Sequence, residues 1–98
     1  MGCAAVKSVL QDTKECYFCH STYCLEDHHI FFGTSNRKRS EKRGLKVWLC
    51  DKHHRYDPDA VHRNRRSDLQ LKEMAQTYYE QNIGTRKQFI VEFGKSYL

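Results

Sequence analysis

Two pairs of ligating side chains, Cys16-Tyr-Phe-Cys19 and Cys50-Asp-Lys-His53, stand about thirty residues apart. No other feature limits the fold as much. A C-x-x-C turn points both sulfurs at one place, and a second pair of the same spacing supplies the remaining ligands of a tetrahedral structural zinc site. The chain between the pairs must therefore leave one knuckle and return to the other. Thiolate ligands must be deprotonated, and the energy of metal binding then becomes folding energy. That matters for 98 residues of which 39% are hydrophobic, since so thin a core needs a staple. Cys16, Cys19, Cys50 and His53 are the expected structural zinc ligands. Cys24 is a rival for the fourth place, but its small and apolar neighbours suit a buried free thiol better. Cys3 is too isolated to assign.

The five cysteines are an odd number, and no apolar leader or membrane-length run accompanies them. Metal in a reducing cytosol fits this usage better than a disulfide framework. Met1-Gly2-Cys3 resembles an acylated start, yet Val6 breaks the myristoylation pattern. A redox role for C-x-x-C would call for βαβ surroundings, and none are present.

The expected class is α+β, in one small domain. Residues 7–15 read as a short strand or an arm. Leu25–Phe31 reads as a strand broken by Gly33-Thr-Ser-Asn36, residues 36–44 as a basic, turn-rich loop, and Leu45–Leu49 as a second strand. Asp51 can cap a helical turn from Lys52 that carries His53 and His54 and stops before Pro58. From Ser67 or Asp68 to about Asn82, Leu69, Leu71, Met74, Ala75, Tyr78 and Tyr79 recur at helical spacing. Thr85 starts a last helix with Phe89, Ile90 and Phe93 on its apolar side, ended by Gly94. The organisation expected is an arm over 1–15, a zinc-stapled core over 16–66 and a helical extension over 67–98 packing on that core.

The net charge of +5 is clustered. Arg37, Lys38, Arg39, Lys42 and Arg43 form one group, and Arg63, Arg65 and Arg66 another. Such runs are commonly solvated loops. Two of them flanking a histidine cluster point instead to a phosphate-bearing partner, most simply DNA contacted through its backbone.

Five of the six histidines fall between His28 and His62, and His28-His29 stand together in a short apolar run. Here residues 7–98 resemble the small HNH (His-Me finger) endonucleases of bacteriophages and prophages. The likeness is carried by KSVLQDTKECYFC, LEDHHIFFGTSNRK, GLKVWLCDKHHR, VHRN and FIVEFGKSYL. The resemblance implies a ββα-metal motif clasping one divalent ion, with a zinc knuckle outside the active centre; the second knuckle pair here departs to C-x-x-H. It implies His29 as general base, with His28 and His54 as ligands of a catalytic Mg²⁺, Mn²⁺, Ni²⁺ or Zn²⁺, and His62 as a further candidate ligand. At the family's middle Asn this chain has Leu45, for which Asn36 or Asn64 could substitute. It further implies a cytoplasmic protein of a bacterial host, and a homodimer or a packaging or recombination partner.

The chemistry needs the same residue types without the family. Hydrolysing a phosphodiester needs a water deprotonated near neutral pH, and imidazole, with an ordinary pKa of about 6.5, suits that. Neighbours on a regular strand face opposite ways, so His28 and His29 share a site only where the strand twists or ends. Two other readings use the same residues differently. One makes one histidine core and the other a support for the zinc site. The other is a non-catalytic zinc-ribbon module that binds nucleic acid or a packaging complex.

Overall fold

The computed structural model describes residues 7–98, so Cys3 and the rest of the Met1–Val6 start lie outside the described residues. Two antiparallel strands, β1 (Leu25–His29) and β2 (Lys46–Cys50), form a ribbon in which Leu25 pairs with Cys50 and His29 with Lys46. Strand β1 is two residues shorter than the Leu25–Phe31 expected. Ile30 and Phe31 leave the ladder and bury completely, 0% and 1% exposed, after Ile30 N–H donates to the Leu45 carbonyl. The α+β class is as expected.

The largest departure is helix α1 (Thr34–Arg43), where a loop over 36–44 was expected. This segment has no apolar stripe, and that hid it. Arg, Lys and Glu are nonetheless good helix formers, and the segment holds neither Gly nor Pro. Lys42 and Arg43 also complement the dipole at the last turn. One buried side chain ties the helix down: Ser40 Oγ donates to the Leu45 carbonyl and accepts from Phe31 N–H. Gly44 closes α1 at φ +70°, and an added Cβ there would lie 2.6 Å from the Lys7 carbonyl oxygen. Conformation and close approach both demand glycine at this position.

Residues 7–15 form no strand, but they do pack as an arm along β2. Val9 N–H donates to the Gly44 carbonyl, and the Gln11 side-chain oxygen accepts from Trp48 N–H at 2.7 Å. After β2, Asp51 caps a single turn of π-helix over Lys52–Tyr56, in which Asp57 N–H reaches the Lys52 carbonyl five residues back. Such turns are frequent at functional sites.

Helix α2 (Arg65–Asn82) starts two residues earlier than Ser67, because Asn64 is its cap and accepts from Arg66 and Ser67 N–H. It buries Leu71, Ala75 and Tyr79 along one stripe. Helix α3 (Arg86–Phe93) has the expected Thr85 cap, reinforced by Gln88 as a capping box, and the expected Gly94 stop. It buries Phe89 and Phe93 but leaves Ile90 39% exposed, contrary to the apolar side expected for that residue. Phe31 meets Phe89, Phe93 and Tyr97 at ring-centroid distances of 5.3, 4.6 and 5.6 Å. That aromatic cluster packs the ribbon's end against the C-terminal helices, with about 2–3 kcal/mol from burying each phenylalanine. Among the described residues no helix is long and apolar enough to cross a membrane.

Candidate metal centres

The two knuckles meet. Cys16, Cys19, Cys50 and His53 bring their ligand atoms together as a group that could hold a metal ion. Cys19 and Cys50 Sγ are 3.7 Å apart, and His53 Nδ1 lies 3.6 Å from Cys16 Sγ and 3.2 Å from Cys50 Sγ. Tetrahedral zinc with Zn–S near 2.3 Å and Zn–N near 2.0 Å separates its ligands by about 3.5–3.8 Å, so the spacing suits zinc. Burial opposes a Cys16 thiolate, but backbone N–H groups of Cys50, Cys19 and Phe18 outweigh it and lower that thiol below its ordinary range. Burial, with Cys16 and Cys19 crowding it, pushes Cys50 up to about 11. Thiolates this close repel one another, and a divalent cation would remove the conflict. Cys24, expected as a buried thiol, is exposed and outside the group.

The strand pleat sorts the next residues. Residues two apart share a face, so Glu26 and His28 lie on one side of β1, while Asp27 and His29 lie on the other. The first face meets the π turn. The Glu26 carboxylate takes a 2.8 Å hydrogen bond from His54 Nδ1, which holds Glu26 below the usual carboxylate range. The chain then doubles back, with Val61 N–H on the His53 carbonyl and His62 N–H on the His54 carbonyl. This return carries His62 to His54, whose Nε2 atoms sit 2.9 Å apart.

His28, His54 and His62 form the second group able to hold a metal, with ligand nitrogens within 4.8 Å of one another. His28 is 3% exposed, and its Nε2 is the one buried side-chain polar atom without a hydrogen-bond partner among the described residues. Burial, with His54 and His62 close by, pushes its pKa down to about 3, and burial likewise lowers His62. These rings therefore keep the lone pairs that a metal ligand needs. The Glu26 bond to Nδ1 fixes the His54 ring and leaves Nε2 facing His62, the usual carboxylate support of a metal-binding imidazole.

His29, on the opposite face, lies near but apart. Its Nε2 is 2.8 Å from Glu41 Oε1 of α1, and Lys46 Nζ contacts both Glu41 oxygens and Asp27. Because β1 ends at His29, the two faces still open into a common space. A cavity of about 240 Å³ is lined by His28, His29, His54, His62, Arg37 and Arg55, among others. A neighbouring cavity of about 760 Å³ shares His29 and Arg37 and adds Gly33, Lys38 and Glu41.

Neither asparagine lines the histidine cavity. Asn36 Nδ2 donates to the Phe93 carbonyl, and Asn64 caps α2. Leu45 is fully buried core. Among the expected basic contacts, Arg37 and Lys38 border the cavities, while Arg39, Lys42, Arg65 and Arg66 are exposed elsewhere. Arg43 is half-buried in a two-pronged pair with Glu92, at 2.8 Å for each prong, and Arg63 donates to the Tyr56 carbonyl. Sequence reading missed Glu26, Glu41 and Arg55. Glu26 was findable, two residues before His28 on the same strand face; Glu41 was hidden in the segment read as a loop.

No protein-family model, curated protein or solved structure matches this chain.

Proposed function

We propose that this chain is a metal-dependent HNH-type endonuclease that hydrolyses DNA phosphodiester bonds. In this reading β1, β2 and the π turn make the ββα-metal motif, with α1 inserted between the strands. Cys16, Cys19, Cys50 and His53 hold a structural zinc. The observation that carries the proposal is the buried, partnerless Nε2 of His28 in a residue grouped with His54 and His62. A buried imidazole nitrogen without a partner costs about 1–3 kcal/mol, and a metal ion is the partner that this donor set fits. Three nitrogen donors suit Mn²⁺, Ni²⁺ or Zn²⁺ better than Mg²⁺, which prefers oxygen.

An ion bound by the three imidazoles would stabilise negative charge developing on the phosphate oxygens, worth several kcal/mol. The remaining work falls to the chain. His29 uses Nε2 on Glu41, so Nδ1 takes the proton of the attacking water as its oxygen bonds to phosphorus. The bond from phosphorus to the leaving oxygen breaks, and that oxygen is protonated by solvent. Arg37 and Arg55, on the cavity wall, orient the phosphate without reading sequence.

A plasmid-nicking assay with added Mg²⁺, Mn²⁺ or Ni²⁺ tests this. His29→Ala is expected to lose about 10²–10⁴-fold of the rate. Equal nicking by both proteins would remove the base from His29. Absence of nicking by folded, zinc-loaded wild type with every metal would favour a non-catalytic zinc-ribbon module that binds nucleic acid. That second reading draws support from Leu45 in the core and from Asn36 and Asn64 being engaged elsewhere.

A further inference from the structure

We infer that Glu41, locked by Lys46, is the positioning residue of the His29 base; the inference rests on the proposed role of His29. Three independent parts of the chain build this arrangement. Strand register sets Lys46 directly across from His29. The pleat places Asp27 on the same face as His29, two residues earlier. Helix α1 then brings Glu41 over that face, where Oε1 meets His29 Nε2 at 2.8 Å.

Lys46 is the unusual member. It is 5% exposed, and an ammonium so buried is costly unless paired. Its Nζ sits 2.9 and 3.0 Å from the two Glu41 oxygens and 3.2 Å from Asp27 Oδ2. Burial opposes the charge, yet the hydrogen bonds it donates to Glu41 and Asp27 more than offset it and hold Lys46 above the usual lysine range. Asp27, His29 and Glu41 group as metal-binding residues do. The Lys46 ammonium already provides the cation at the two carboxylates, so a second metal is not needed there.

The consequence for His29 is directional. A carboxylate only accepts, so His29 must carry its proton on Nε2 and present the Nδ1 lone pair. Lys46 clamps both Glu41 oxygens, so the carboxylate cannot rotate away from the imidazole. This is how a buried acid serves a histidine base in acyl transfer, here assembled from a helix and the facing strand.

The test is a double-mutant cycle in the nicking assay, with zinc content and thermal unfolding checked for each protein. Glu41→Gln is expected to lower kcat by about 10–100-fold with KM unchanged. Placed on His29→Ala, the same change should cost nothing further, because the inferred contribution of Glu41 to the rate runs through that imidazole. Glu41→Asp keeps a carboxylate for Lys46, folds normally, and should fall between wild type and Glu41→Gln. An equal loss in both backgrounds, a loss confined to KM, or no loss would overturn the inference. So would failure of both Glu41 variants to fold, which would make the residue structural. If wild type and His29→Ala nick equally, the base reading itself fails. An additive cycle with a large His29→Ala defect would sink Glu41 alone.

Discussion

A side chain that is costly where it stands is the sharpest pointer to function in this molecule. His28 is 97% buried by its 3% exposure and leaves Nε2 without a protein partner. A Leu of similar bulk would spare the chain that desolvated nitrogen without opening a cavity. His28→Leu should therefore raise stability by about 1–2 kcal/mol when the open site holds no ion, while abolishing the extra stabilisation that Mn²⁺ or Ni²⁺ gives the wild type. Thermal unfolding of the zinc-loaded protein, with and without added ion, measures both effects. Destabilisation by the substitution, or an unchanged response to the ion, would show that His28 packs rather than ligates. The family resemblance names His28, His54 and His62 as candidate ligands, and the fold brings these three together. The carboxylates that orient the rings were not legible beforehand. Glu26 reaches His54 across 28 residues and Glu41 reaches His29 from a helix, and neither pairing leaves a mark in local sequence.

At the scale of elements, α1 is both the feature that sequence reading lost and the one that completes the site. Amphipathic periodicity is the main signal for a helix, and α1 has no need of a stripe because Ser40 and Arg43 anchor it through polar bonds. Helices α2 and α3 are legible because their apolar residues follow a helical period, and the strands because of their aliphatic, aromatic and β-favouring content, although the ends move by one or two residues where caps and turns decide them. The position of α1 also divides its cations into two kinds. Arg37 and Lys38 border the cavities beside His29, whereas Arg43 is committed to Glu92. In binding of catalytically silent His29→Ala to duplex DNA, Arg37→Gln or Lys38→Gln should each reduce the slope of log affinity against log salt by about 1. Arg43→Gln should leave that slope alone and instead lower stability by about 1 kcal/mol. Titrations at several salt concentrations decide it: slopes for Arg37→Gln and Lys38→Gln unchanged from that of the His29→Ala background would take α1 off the DNA.

For the whole molecule, the question is how a thin core supports two sites with different demands. The Cys₃His cluster that could hold zinc is not an appendage. Cys16 and Cys50, 0% and 4% exposed, belong to the same apolar cluster as Phe31, Leu71 and Phe93. A structural zinc in small domains is worth about 10–16 kcal/mol of binding, as much as the whole stability of an ordinary domain, about 5–15 kcal/mol. Without it, Cys16, Cys19 and Cys50 are crowded thiols, and both the return of β2 to the first knuckle and the placing of His53 and His54 lose their anchor. The chain should therefore carry one tightly held zinc, and a strong chelator or Cys50→Ala should abolish cooperative unfolding, leaving at most residual helix from the 18-residue α2. The three-histidine site should behave differently. Its ligands stand partly open to the cavity, with His62 exposed, so a weak chelator should strip that ion and stop nicking while the fold stays intact. Zinc content and near-ultraviolet circular dichroism, followed through stepwise chelation, separate the two events. A zinc-free chain that still melts cooperatively at the wild-type temperature would refute the staple, and loss of both metals in one step would refute the division into a closed and an open site.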